Sequence, residues 1–244
     1  MRTVAAALYT VFCVVGFMVF GLPAYILSFF GLKKPMSWII YGCGFLWGRG
    51  LIAISGSTIQ VEGKENIPSG GGVCFVSNHV GLFDILVVLG YIGRPFGFIA
   101  KKELLLAPLL NIWIYILGGL FIDRKNIRKA LKTINRGIDI LQKGGRMLIF
   151  PEGTRSKGRG LLPFKSGAIK LATHSKAIIV PIAISGTYEV FEKDLRVHQV
   201  PLRIVFCPPI NTAEMSAEDR RHKLTDQVRG TIEAALNREI SQPV

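Results

Sequence analysis

"VSNHVGLFDILVV", residues 76–88, is the stretch on which the reading of this chain turns. A short apolar run, Gly72–Val76, has the character of a buried strand and ends in Ser77-Asn78-His79. Asp84 follows five residues past the histidine, and Leu82–Tyr91 reads at once as a short helix. A strand passing directly into a helix is the repeating unit of an α/β sheet, and ligands gather in such sheets where strands end. An imidazole and a carboxylate in that turn have two readings. Asn78 or Asp84 caps the helix over a satisfied, buried histidine. Alternatively, Asp84 orients His79 as a general base by fixing its tautomer, leaving the second ring nitrogen to remove a proton.

Outward from this stretch the alternation continues. Ser57–Val61 reads as a strand joined to Gly72–Val76 through the turn "PSGGG" (68–72). Phe96–Ala100 and Gly119–Ile122 are further strands, separated by a helical stretch over 102–115 that Pro108 breaks. Asn126–Lys143 is a strongly amphipathic helix, with Ile127, Ala130, Leu131, Ile134, Ile138 and Leu141 at helical spacing and Gly144-Gly145 as its stop. "RMLIF" (146–150) and "AIIVPIAI" (177–184) are of the buried-strand type, whereas "LRIVFC" (202–207) alternates and suggests a strand nearer an edge. Ala217–Arg238 reads as one polar, amphipathic terminal helix. No repeat, low-complexity segment or interdomain linker interrupts this pattern, which predicts a single α/β domain over 57–244.

The first 56 residues differ. Thr3–Leu32 and Pro35–Gly48 carry no charged residue, and about 20 apolar residues are enough to cross a bilayer core. The first stretch is too long for a signal peptide, has a single Arg2 before it and lacks a small-x-small cleavage site. Gly21 and Pro23 predict a bend, giving helices over about 4–21 and 36–54 with Lys33, Lys34 and Arg49 at the membrane–water boundary. Residues 1–56 are thus expected to be a two-helix membrane anchor, spanning or re-entrant, with Trp38, Tyr41 and Trp47 suited to an interface.

Formal net charge is +14, and between Lys101 and Lys170 fifteen Lys and Arg face four acids. Such a segment suits an anionic membrane surface, an acidic partner, a phosphorylated substrate or nucleic acid, and an anchored chain favours the first three. Cys13, Cys43, Cys74 and Cys207 lie in apolar runs without a C-x-x-C pair, which excludes a disulfide framework and a zinc site and suits a cytosol-facing domain. No metal or cofactor is expected.

Three further constellations fall at strand ends. "FPEGTRS" (150–156) enforces a turn in which backbone N–H groups of a glycine loop can approach an anion, Thr154 offers a hydroxyl and Arg155 a fork for phosphate or carboxylate. "GGLFIDR" (118–124) ends in Asp123-Arg124, and "AKKEL" (100–104) supplies Lys101 and Lys102. Alone, the first two suit an ion pair and the third the start of a surface helix; four such groups on strand ends suggest one polar site. No G-x-S-x-G elbow accompanies His79, so the nucleophile is expected to be a hydroxyl of the substrate. "KGRGLLPFKSG" (157–167) lacks the spacing of a nucleotide P-loop.

"NHVGLFD", "GGLFIDR", "FPEGTRS" and "VPIAISG" (180–186), in this order, resemble the motifs of the 1-acyl-glycerol-3-phosphate acyltransferases of the membrane-bound glycerolipid acyltransferase superfamily, the first being the family's HxxxxD motif. The resemblance covers about residues 58–210 and extends to the hydrophobic N-terminus. It implies a mixed, mostly parallel sheet flanked by helices. It implies His79 as base and Asp84 as its partner, Lys101, Arg124 and Arg155 as holders of the acceptor's phosphate, and Asn78, Glu152, Gly153 and Thr154 as substrate-site residues. The lysine after the strand is then Lys101 in preference to Lys102. The implied activity is transfer of an acyl group from acyl-acyl carrier protein or acyl-CoA to lysophosphatidic acid, giving phosphatidic acid for phospholipid synthesis at the cytosolic face of a bacterial inner membrane, with no nucleic acid involved. Three other readings compete: another acceptor such as glycerol 3-phosphate, a further lysophospholipid or a lyso-aminolipid; a thioester hydrolase using water; and a non-catalytic, membrane-anchored protein that binds anionic lipid.

Overall fold

A computed structural model describes residues 1–238. The chain runs α1 (Arg2–Leu27), α2 (Lys33–Ser55), β1 (Ile59–Glu62), β2 (Val73–Ser77), α3 (Phe83–Tyr91), β3 (Gly97–Lys101), α4 (Leu110–Ile116), β4 (Leu120–Ile122), α5 (Ile127–Gln142), β5 (Arg146–Ile149), α6 (Ser166–Ser175), β6 (Ile178–Ser185), α7 (Thr187–Phe191), β7 (Leu202–Phe206), β8 (Ile210–Asn211), α8 (Ala217–His222) and α9 (Leu224–Asn237). The strands form one sheet in the order β1-β7-β6-β2-β5-β3-β4, with β8 on β6. β4, β3, β5, β2 and β6 are mutually parallel, while β7 and β8 run antiparallel to β6 and β1 runs parallel to β7. The sheet is therefore mixed and mostly parallel.

Period-two alternation sorts its side chains onto two faces. Val73, Phe75, Leu148, Val180, Ile182 and Ile204 point into a core closed by α1, α2, α3, α4 and α7. Cys74, Val76, Met147, Ile149, Ile179 and Val205 point the other way, under α5, α6 and α9. The parallel group is the part that matters for the site. Five strand C-termini, those of β6, β2, β5, β3 and β4, open onto one edge.

β7 does lie near an edge, one strand in between β1 and β6, yet it is buried throughout. Its alternation comes from Arg203, whose buried guanidinium donates to Glu62 of β1 (2.6 and 3.2 Å) and to the carbonyl of Ala235. Several expectations need correction. The terminal helix is two helices meeting at Lys223, and the last expected position, Arg238, is non-helical. The N-terminal bend is not at Gly21–Pro23. α1 passes through Pro23, and Gly21 is small because the Phe17 ring packs over it, 2.4 Å from where a β-carbon would stand. The chain reverses instead at Phe30 and Gly31, the latter at φ 80°, which glycine adopts without steric cost. α6 had no counterpart in the sequence reading; its Ile169, Leu171 and Ala172 pack under the sheet.

α1 and α2 form a hairpin, joined by a bond from the Tyr9 hydroxyl to the Leu46 carbonyl (2.8 Å). The hairpin is laid against the α/β body. Tyr41 donates to the Leu89 carbonyl (2.9 Å) and accepts from the Gly93 N–H (2.8 Å). A β-carbon at Gly48 would stand 2.3 Å from the Leu86 carbonyl oxygen, so glycine there lets α2 reach α3. Arg49 lies over the Tyr91 ring (4.5 Å), on the side of the body. Ala6, Phe17, Ala24, Ile40, Leu51 and Ile52 belong to the same core as α3 and α4.

Candidate active site

The turn after β2 carries the site's centre. His79 Nδ1 is 2.6 Å from Asp84 Oδ2, and the same oxygen accepts the N–H groups of Val80 (2.6 Å) and Gly81 (3.0 Å). The Thr187 hydroxyl, just past β6, donates to Oδ1. Asp84 is fully buried at the start of α3. Asp84 does not cap α3, whose start carries no side-chain cap bond; it ties together the turn before the helix and faces the imidazole. A carboxylate facing Nδ1 places the ring proton there and leaves Nε2 as the free base. The His79 ring stacks on Phe150 at the end of β5, centroids 4.1 Å apart, which fixes its plane.

Glu152 locks the neighbouring loop to this turn. It is 2% exposed, and accepts the N–H of His79 at Oε1 (2.7 Å) and that of Leu162 at Oε2 (3.1 Å). Burial pushes its carboxyl pKa up, while these two N–H groups act in the opposite direction. The backbones are joined as well, Ser156 N–H to His79 carbonyl (2.7 Å) and Lys157 N–H to Val80 carbonyl (3.0 Å). Glu152→Ala leaves two N–H groups without their acceptor, each costing about 1–3 kcal/mol. The expected result is a thermal midpoint lowered by several degrees and a misplaced histidine; an unchanged melt would show that water replaces the carboxylate at no cost.

The cations are distributed over the adjoining strand ends. Lys101 ends β3 and, among the described residues, has no hydrogen-bond or ion-pair partner, whereas Lys102 is tied to Asp123 at 2.8 Å. Arg124, just past β4, donates to the Gly153 carbonyl. Arg155 pairs with Glu192 at 2.5 Å, and Glu192 also accepts the Leu82 N–H. Gly153 sits at φ 69°, and a β-carbon there would stand 3.0 Å from Lys165 Nζ, so a further ammonium borders this loop. Thr154 is exposed. Asn78 lies deeper: it is 3% exposed, and its amide gives and takes a bond with the Ile184 backbone (2.9 and 2.8 Å), joining β2 to β6 beneath the site. From β2 to β4 is three strand spacings, roughly 15 Å. The loop over 152–155 crosses that span, contacting the β2 turn at Glu152 and Arg124 at Gly153.

Sequence reasoning passed over Thr187, Glu192, Phe150 and Lys165. Thr187 stood one residue beyond the "VPIAISG" stretch, at the fifth parallel strand end, and the strand-end rule reaches it. Glu192 and Lys165 come from segments without a motif, and only the folded chain brings them in.

A base braced by a buried carboxylate, with cations on neighbouring strand ends, suits removal of a proton from a hydroxyl carried by an anionic substrate. A family model described as Acyltransferase matches residues 58–185, and the chain belongs to that family, among the 1-acyl-sn-glycerol-3-phosphate acyltransferases. It is 33% identical to the 1-acyl-sn-glycerol-3-phosphate acyltransferase of Borreliella burgdorferi over 77% of this chain and 77% of that protein. It is 30% identical to the enzyme of the same name from Escherichia coli over 82% of each chain. The crystal structure of the 1-acyl-sn-glycerophosphate (LPA) acyltransferase from Thermotoga maritima superposes with a TM-score of 0.77 at 26% identity, covering 97% of this chain and 96% of that one.

Proposed function

We propose that this enzyme transfers an acyl group from an acyl thioester, carried by acyl carrier protein or CoA, to the free hydroxyl of 1-acyl-glycerol-3-phosphate, making phosphatidic acid for phospholipid synthesis. The observation that carries this reading is the His79–Asp84 pair at the same sheet edge as Lys101, Arg124 and Arg155. His79 Nε2 takes the acceptor's hydroxyl proton as the oxygen bonds to the thioester carbonyl carbon. The tetrahedral oxyanion needs donors, for which backbone N–H groups of the glycine loop or Lys101 are suited. Collapse breaks the C–S bond, and the leaving thiolate takes the proton back from the imidazolium. The acceptor's phosphate falls to Arg155, Arg124 and Lys101, with Glu152, Gly153 and Thr154 shaping the loop and Asn78 holding β2 in register beneath it.

Access follows from the hairpin. The hairpin is long and apolar enough to enter a membrane, and Leu8, Phe12, Val15, Val19 and Phe20 face outward. Its start meets the body through Arg2 and Gln199 (2.9 Å), and its turn through Phe29 and Lys33 against Tyr115 of α4 (6.4 and 3.9 Å). A hairpin standing across a bilayer would carry its turn to the far side, away from the body. With start, middle and turn all resting on one body, the hairpin suits entry into a single leaflet with its outer face, at the cytosolic surface of the bacterial inner membrane. The test is an assay of purified protein with lysophosphatidic acid and each donor; phosphatidic acid as product supports the reading, and thioester loss without lipid product would replace it with hydrolysis.

Arg155→Ala is expected to raise KM for lysophosphatidic acid by about tenfold or more, and Arg155→Lys to recover little, because a guanidinium fork matches phosphate in a way that an ammonium does not. Initial rates against acceptor concentration measure this. A change confined to KM for the thioester would move Arg155 to donor binding.

A further inference from the structure

Lys101 is followed by a short 3-10 turn, Lys102–Leu106, in which two large apolar side chains are held away from the core. Leu105 is 50% and Leu106 87% exposed, although Leu104, Leu109 and Leu110 on either side pack inward. The arrangement is built. Asn111 Nδ2 donates to the Leu105 carbonyl (2.9 Å), and Asn111 Oδ1 accepts the Ile112 N–H (2.7 Å). The chain then leaves through Leu109 at φ 65° and ψ −45°, a conformation that costs free energy in any residue except glycine. Within the protein, neither leucine repays this with burial. The next helix, α4, is the one that carries Tyr115 against Tyr25, Phe29 and Lys33 of the hairpin, and both segments pack into the core on the same side of the sheet. The apolar knob therefore leads directly into the helix on which the hairpin's turn rests, and basic residues accompany both: Lys33 and Lys34 at the hairpin turn, Lys101 before the knob.

We infer that Leu105 and Leu106 enter the same lipid leaflet as the hairpin and form a second membrane contact, holding the end of β3, with Lys101, at the depth of the lipid headgroups. The occupant is an anionic bilayer. Outward leucines favour its acyl region and the surrounding ammonium groups its phosphates. The inference rests on the lysophospholipid reading of the site. It gives the 102–106 turn a purpose in that reading: the acceptor's phosphate has to rise only from headgroup level to Lys101, without its acyl tail leaving the leaflet.

The test uses the full chain with Leu105→Ser and Leu106→Ser together, both at exposed positions and checked for an unchanged thermal melt. Acylation is measured with long-chain lysophosphatidic acid in vesicles of phosphatidylglycerol and phosphatidylethanolamine, and with a short-chain, water-soluble lysophosphatidic acid. In parallel, an environment-sensitive fluorophore is attached at Leu106→Cys in a chain whose Cys13 and Cys43 are replaced by alanine. The expected results are a blue-shifted emission on adding vesicles, kcat/KM on vesicles lowered about tenfold or more, and an unaltered rate on the soluble acceptor. No spectral shift, or equal losses on the two acceptors, would overturn the inference. Should the parent chain fail to acylate lysophosphatidic acid at all, the functional reading falls, and the fluorescence alone decides whether the knob enters the bilayer.

Discussion

Replacing His79 with alanine is expected to lower acyl transfer by a factor of about 10²–10⁴ while the protein stays folded, since loss of a positioned general base has this magnitude. His79 packs by stacking on Phe150 and contributes no main-chain support through its side chain, so its removal leaves the turn's own bonds intact. Asp84→Asn is expected to be nearly as damaging for a different reason. Its amide oxygen can keep the place of Oδ2 toward Val80, Gly81 and Nδ1, but an uncharged group there no longer stabilises the imidazolium. The measurements are initial rates with saturating donor and acceptor, together with thermal melts of both variants. Near-normal turnover of the His79 variant would end the mechanism. Full activity of the Asp84 variant would reduce that residue to a turn-forming role.

Deleting residues 1–56 is expected to destroy the fold, beyond releasing the protein from membranes. Ile40, Tyr41, Leu51 and Ile52 are buried against the body, and large apolar side chains contribute about 1.5–3 kcal/mol each when buried. Four of them approach the whole stability of a typical domain, about 5–15 kcal/mol. The deletion would also uncover Leu86, Leu89 and Trp113 on α3 and α4. Solubility, circular dichroism and activity on a water-soluble acceptor check this. A soluble truncated chain with cooperative melting would establish residues 57–244 as an independent domain and the hairpin as a detachable anchor.

What could be read from the sequence follows the range of the interactions involved. β2, β3, β5 and β6 were visible because they are short apolar runs bounded by turn residues, and α5 because its apolar stripe repeats every turn. His79, Asp84, Lys101, Arg124, Glu152 and Arg155 stood out as candidates because they lie at or just past strand ends. The sheet order was not visible. Ile59 pairs with Leu202, and no local period in either strand announces the other. That β7 lies near an edge was legible from its alternation, but that Arg203 in it is buried depends on its distant partner Glu62. The bend was misplaced because Gly21 and Pro23 carry the composition of a break, while the packing of Phe17 decides what Gly21 is for. Glu192 and Lys165 show the same limit within the site, since each is brought there by a fold that must already exist.

The pairing of Ile59 with Leu202 also bears on how the chain is made. The hairpin leaves the ribosome before the strands of the sheet, and its apolar face is compatible with lipid. Its protein partners on α3 and α4 come later, and β1 has to wait for β7, most of a chain length behind it. On the proposed membrane reading, the nascent chain would be tethered to the bilayer before its sheet can close. The apolar surface awaiting α3 can rest in lipid in the meantime, so the stage most exposed to aggregation is spent in a solvent that tolerates it. On the proposed single-leaflet reading, with the hairpin's turn on the side of the body, Lys33 and Lys34 would not enter the hydrocarbon core, where each charge costs about 2.5–3.5 kcal/mol. Biogenesis on that reading would require delivery to a membrane surface, without carrying the hairpin's turn to the opposite side.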